Sequence, residues 1–142
     1  MSQHVDKTRS QAAADAERVR ARAIDAGRWF SGYLVAIGVI SAVEITLIET
    51  FFPDGFARAI VSAAWVVCML LLSWRAAQRS VWPAGATRRM WIAAGTWFGL
   101  YLFAIGPIVR WQFEHAVLPW ALASVVMSLP FFIAAAWGRR HR

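Results

Sequence analysis

Reactive side chains are scarce in this sequence. Cys68 is the single cysteine, which excludes an intramolecular disulfide and any cysteine-based metal site and predicts a small apolar packing residue. The three histidines, His4, His115 and His141, are peripheral, and no apolar run holds a His/Asp/Glu grouping with metal-ligand spacing. No nucleophile stands beside a base, and no Gly-rich phosphate loop is present, so neither covalent catalysis nor an ATPase domain is expected. These absences predict a protein that is not an enzyme and carries no cofactor. Charge is scarce too. Only 16% of the 142 residues are charged against 59% hydrophobic, with a mean hydropathy of +0.48, too apolar for a soluble domain of this size.

The apolar residues are gathered into four runs, Trp29–Phe52, Ala59–Trp74, Met90–Val109 and Ala116–Gly138. A helix needs about 20 residues to cross a hydrocarbon core of about 30 Å. The second run has 16 residues, but Arg58 and Arg75 can snorkel and lengthen it. The third and fourth contain no Asp, Glu, Lys or Arg, and helices apolar on all sides belong in lipid. The expected fold is an all-α integral membrane bundle of four transmembrane helices, over about 29–52, 57–77, 90–109 and 116–138. Short joints group them into two hairpins, Trp29–Arg75 and Met90–Gly138. Residues 1–28 form a polar, amphipathic cytoplasmic helix, and 139–142 a basic cytoplasmic tail.

A net charge of +7 suggests nucleic acid until its distribution is considered. Thirteen basic residues flank one side of the expected membrane and only Arg58 and Arg110 the other. That bias orients both termini to the cytoplasm, with attraction to anionic headgroups as a by-product. No nucleic-acid partner is expected; the bilayer and a membrane-protein partner, or further copies of the chain, are. The first 28 residues lack the pattern of a cleaved signal peptide, so the first span is read as an uncleaved anchor. One lysine against 14 arginines, with abundant Ala and Trp, fits a GC-rich bacterial genome, hence an inner membrane.

Along the helix read at 10–27 and into the first apolar run, Ala12, Ala16, Val19, Ala23, Ala26 and Phe30 recur at alternating steps of four and three, a seam-like stripe. It fits either a partner helix or a solvated extension of the first span. Asp15–Arg18, Glu17–Arg20 and Arg22–Asp25 are spaced for local ion pairs. Pro53-Asp54-Gly55 and Trp82-Pro83-Ala84-Gly85 read as turns. Trp29, Trp74, Trp82, Trp91 and Trp137 mark the inner boundary and Trp111 and Trp120 the outer, leaving Trp65 and Trp97 at mid-depth.

Gly95-x-x-x-Gly99 in the third span, with Gly32/Ala36 and Gly38/Ala42 in the first, are notches for close helix packing. Gly106-Pro107 and Pro130 should kink the third and fourth spans. Glu44 is the residue most out of place, because a carboxylate within hydrocarbon costs roughly 2.5–3.5 kcal/mol. Counted from Trp29 it lies about 22 Å from the inner boundary, roughly 8 Å short of the outer. Ser41 shares its face one turn earlier. Three readings fit: a carboxyl neutralised by a proton or an arginine that fixes register, a proton- or cation-binding group facing a cavity, or a snorkelling acid. Arg58 and Arg110 enter at the outer level within reach of it. With Glu49 and Glu114, beside Asp54 and His115, they form an outer charge cluster.

Four spans, a short chain and a first-span glutamate, within Ala42-Val43-Glu44-Ile45, resemble the architecture of small multidrug-resistance transporters. That resemblance implies cation-coupled transport at Glu44. The strong charge bias departs from those proteins, whose weak bias permits opposite insertion, and the later spans carry no matching motif. Two functions therefore stand: an accessory or regulatory subunit of another membrane protein, and a small proton- or cation-coupled transporter using Glu44.

Overall fold

Chain punctuation sets the element order. In a computed structural model, which describes residues 2–79, 82–83 and 85–140, with side chains between 11 and 137, all regular structure is helical. Helix α1 runs unbroken over Ser2–Thr50. It ends before Pro53, which cannot donate a helical hydrogen bond and disfavours helix in the residue before it. Gly55, at φ 79°, turns the chain into α2, Gly55–Ala77. Gly85, at φ 71°, opens α3, Ala86–Gly99, and only glycine adopts these two conformations without strain. A π-helical segment, Leu100–Ala104, joins α3 to α4, Ile105–Phe113, and α5 spans Val117–Arg140. The basic tail read at 139–142 thus begins inside α5, with 141–142 outside the described residues.

Four helical stretches are long and apolar enough to cross a membrane: Gln11–Thr50, Gly55–Ala77, Ala86–Phe113 and Val117–Trp137. They alternate in direction. Ser31, Trp29 and Phe30 of α1 meet Ala135, Trp82 and Arg89 at the end bearing the termini, and Glu49 meets Arg58, Arg110 and His115 at the far end.

The most extensive interface joins the first and last spans, α1 and α5; α1 also packs on α2, and α3 on α5. On α1, Gly27, Ser31, Leu34, Gly38, Ser41, Ile45 and Ile48 are buried at steps of four and three. On α5, Trp120, Ser124, Met127 and Phe131 answer with the same spacing. A 3.5-residue seam is the pattern of nearly aligned, left-handed helix pairs. Small residues let these backbones come close, and polar rungs fix their register. The Ser31 hydroxyl lies 3.0 Å from both the Gly27 and Ala135 carbonyl oxygens, and Thr46 Oγ1 lies 2.6 Å from Ser124 Oγ. Between apolar helices in lipid, such packing and hydrogen bonds replace the hydrophobic effect as the source of association.

Helix α2 is attached more lightly, with Ala76 its only fully buried residue. Trp82 closes the termini end, edge-on to Trp29 at 5.5 Å and tilted against Phe30 at 6.1 Å. Arg79 and Arg89 stand 6.0 Å from the Trp29 and Phe30 rings respectively, at cation–π distance.

Before its buried stretch α1 continues as an exposed helix. Every residue from 11 to 25 is exposed, and Asp15–Arg18, at 3.6 Å, realises one of the spaced ion pairs. Ala26 and Phe30 of the stripe are buried in the bundle, whereas Ala12, Ala16, Val19 and Ala23 are uncovered.

A glycine pair separates packing from composition. A Cβ on Gly38 would stand 2.8 Å from a Phe132 ring carbon, whereas one on Gly32 would meet nothing within 4 Å. Gly38→Leu should therefore push α1 and α5 apart and destabilise the protein by about 1–3 kcal/mol. Gly32→Leu should leave stability unchanged, as read by reversible unfolding in mixed micelles.

Candidate functional site

Glu49 ends the buried face of α1 with its side chain only 1% exposed, and four other parts of the chain converge on it. Its Oε1 accepts hydrogen bonds from Arg110 Nη2 at 2.6 Å, Tyr101 Oη at 2.7 Å and Arg58 Nη2 at 3.0 Å. Arg58 is delivered by the first turn of α2, immediately after the Gly55 turn, and also donates to the Pro53 carbonyl. Arg110 lies in the last turn of α4, where a cation also meets the negative end of the helix dipole. His115 Nδ1 lies 2.9 Å from the Glu49 carbonyl oxygen, so the Nδ1–H tautomer donates to one of the carbonyls left open at the end of α1. Every span therefore contributes a group to this end of the bundle, or, for α5, lies beside the loop residue that does.

Tyr101 reaches Glu49 because the third span is not a regular α-helix. Pro107 has no N–H to give to the carbonyl four residues back, so the α ladder is interrupted there. The gap is absorbed by the π segment, in which the Ile105 N–H bonds to the Leu100 carbonyl. One extra residue in the turn re-aims the side chains ahead of it. Gly106 belongs to the same device, since a Cβ there would collide with the Tyr101 carbonyl. The tyrosine is braced by stacking: its ring lies 6.1 Å from Trp97 at 15°, and Trp97 lies 6.3 Å from Trp65 at 17°. Among the described residues, neither buried indole Nε1–H finds an acceptor, and the buried Ser128 hydroxyl has no partner.

Above the clasp a cavity of about 410 Å³ is lined by Glu49, Pro53, Asp54, Arg58, Arg110, Glu114 and His115. The expected outer cluster of Glu49, Arg58, Arg110 and Glu114 is thus one pocket. Glu114 adds a structural part through its backbone: at φ 47° it turns the chain, and its carbonyl accepts the Trp120 indole N–H at 2.7 Å.

Glu44 is set apart from this network. It is buried at 9% exposure, and among the described residues no hydrogen bond or ion pair reaches its carboxyl. The two arginines expected within its reach are engaged by Glu49 instead. Ser41 is buried on the same face and makes no hydrogen bond to Glu44. Of the packing notches, Gly38 lies at the α1–α5 contact, while Ala36 and Ala42 are half-buried. Gly32, Gly95 and Gly99 have open space where a Cβ would stand. Tyr101 is the contact to Glu49 that the sequence alone does not reveal; its signal is the neighbouring Gly106-Pro107, beside the irregular turn. Among the described residues no three His, Cys, Asp or Glu side chains are grouped to hold a metal.

No protein-family model, curated protein or solved structure matches this chain.

The clasp predicts a specific pattern of stability losses. Tyr101→Phe removes a hydrogen bond to a charged group and should cost about 1.5–3 kcal/mol. Gly106→Ala should lose much of the same interaction by displacing the Tyr101 backbone. The two changes combined should therefore destabilise by less than their sum, measured as a double-mutant cycle in mixed micelles.

Proposed function

We propose that this chain is a small accessory or regulatory subunit of another membrane protein. In this reading it sits in a bacterial inner membrane as two helical hairpins, with both termini and the amphipathic N-terminal helix in the cytoplasm. The observation that carries the proposal is the exposed stretch of α1 from 11 to 25. An isolated helix of that length is marginal in water, and most helical stability comes from packing an apolar face. Its stripe of Ala12, Ala16, Val19 and Ala23 keeps the spacing of the seam that α1 buries against α5 farther along. A partner helix laid on it would extend that seam beyond the membrane. The 13-to-2 division of basic residues supports the orientation.

Cross-linking tests this directly. With Cys68→Ser as background and Val19→Cys as the single thiol, a short cross-linker in native membranes should capture a second protein at fixed stoichiometry. Capture of nothing, or only of another copy of the chain, contradicts the subunit reading.

Proton- or cation-coupled transport is kept as a second reading on one observation: Glu44 is buried, and among the described residues no hydrogen bond or ion pair reaches its carboxyl. An uncompensated carboxylate in a span is a position a proton or small cation would fill. Purified protein in liposomes should then show pH-dependent flux that Glu44→Gln abolishes while expression and helicity are retained. Flux that survives Glu44→Gln removes this reading.

A further inference from the structure

The geometry points to a binding site for an anionic phospholipid in the groove between α3 and α5, at the end of the bundle that bears the termini. The groove encloses about 810 Å³, and its walls include Ile92, Ala93, Pro130, Ile133 and Trp137, with Arg88 and Arg89 at its mouth. Its polarity runs one way. The arginines lie in the first turn of α3, at the level of the exposed Trp91 and Trp137, and the apolar walls extend from there to Thr96. Eight residues of helix from Arg88 to Thr96 give a depth of about 12 Å. One anionic end and one long apolar end describe a phospholipid: phosphate at the arginines, acyl chain along Ile92 and Ile133.

Charge complementarity favours this occupant over an apolar helix from another protein, which would bring no anionic group to Arg88. Arg89 lines the groove and stands 6.0 Å from the Phe30 ring, and Arg88 is exposed beside it. Basic pockets between spans are a recurring form of headgroup recognition, and each arginine near an anionic surface is worth about fivefold in affinity.

The test is native mass spectrometry of the full chain released from nanodiscs holding equal phosphatidylglycerol and phosphatidylcholine with the same acyl chains. Phosphatidylglycerol should be retained preferentially, and Arg88→Gln should lower that retention about fivefold. Thr96→Trp, which fills the groove from an exposed position, should lower retention of both lipids. Arg75→Gln, at the same end but outside the groove, should change nothing. Equal retention of the two lipids overturns the proposal, as does an equal loss in Arg75→Gln and Arg88→Gln, which would make the attraction diffuse. Retention undiminished by Thr96→Trp places the lipid elsewhere and also overturns it. Inorganic phosphate that displaces phosphatidylglycerol completely would reduce the site to a phosphate site and count against the acyl groove. Circular dichroism on each variant separates loss of lipid from loss of fold.

Discussion

A single carboxylate oxygen, Oε1 of Glu49, organises the far end of this bundle. It takes a hydrogen bond from Arg58, one from Tyr101 and one from Arg110, and so joins the first three spans. A buried charge is tolerated when it is paired and its lone pairs are used, and truncating one partner of such a group is more damaging than never having had it. Arg58 and Arg110 remain partly open to solvent, which softens the Coulombic attraction. The geometric demand stays: the turn at Gly55, the π segment and the last turn of α4 must all place their groups around one oxygen.

That demand accounts for other features. Tyr101 reaches the clasp only if the third span carries an extra residue in one turn, and Pro107 with Gly106 makes that turn the favourable local solution. Trp97 and Trp65 then brace the tyrosine, at the expense of two indole N–H groups without acceptors. The opposite end is closed by different means, with Trp82 against Trp29 and Phe30 and two arginines over aromatic rings. Between the two ends the α1–α5 seam supplies most of the burial, and α2 is held by lighter contacts. Because Glu49 engages both nearby arginines, Glu44 is left buried without a hydrogen bond or ion pair among the described residues. The division of labour between two acids five residues apart is what turns a structural feature into a functional question.

Much of this was legible in the sequence, and the remainder was not for physical reasons. Run length and charge placement gave the four spans, and Pro53-Asp54-Gly55 and Gly85 announced their turns through the conformations only glycine adopts easily. Glu49, Arg58, Arg110 and Glu114 could be grouped in the sequence because all fall near the ends of the apolar runs, and all four line one cavity. The assignment of both arginines to Glu49 was not legible, since Glu44 lies little more than one helical turn deeper and arginine side chains are long enough for either. The dominance of α1–α5 contact was also hidden. In helices apolar on every side, hydropathy does not distinguish a lipid face from a buried one. The buried face is instead marked by small and hydroxylated residues, Ser31, Gly38 and Ser41 facing Ser124 and Ser128. Gly95 and Gly99 show the limit of that signal: they have the same spacing as a packing motif, yet face open space in the single chain.

The most direct test is to ask which acid owns the arginines. Two double-mutant cycles, Glu49→Gln with Arg110→Gln and Glu44→Gln with Arg110→Gln, can be read by reversible unfolding in mixed micelles. The structure predicts a coupling of about 1–3 kcal/mol between Arg110 and Glu49 and none resolvable between Arg110 and Glu44. A coupling to Glu44 as large as that to Glu49 would contradict it, moving the clasp one turn deeper and removing the unpartnered carboxylate.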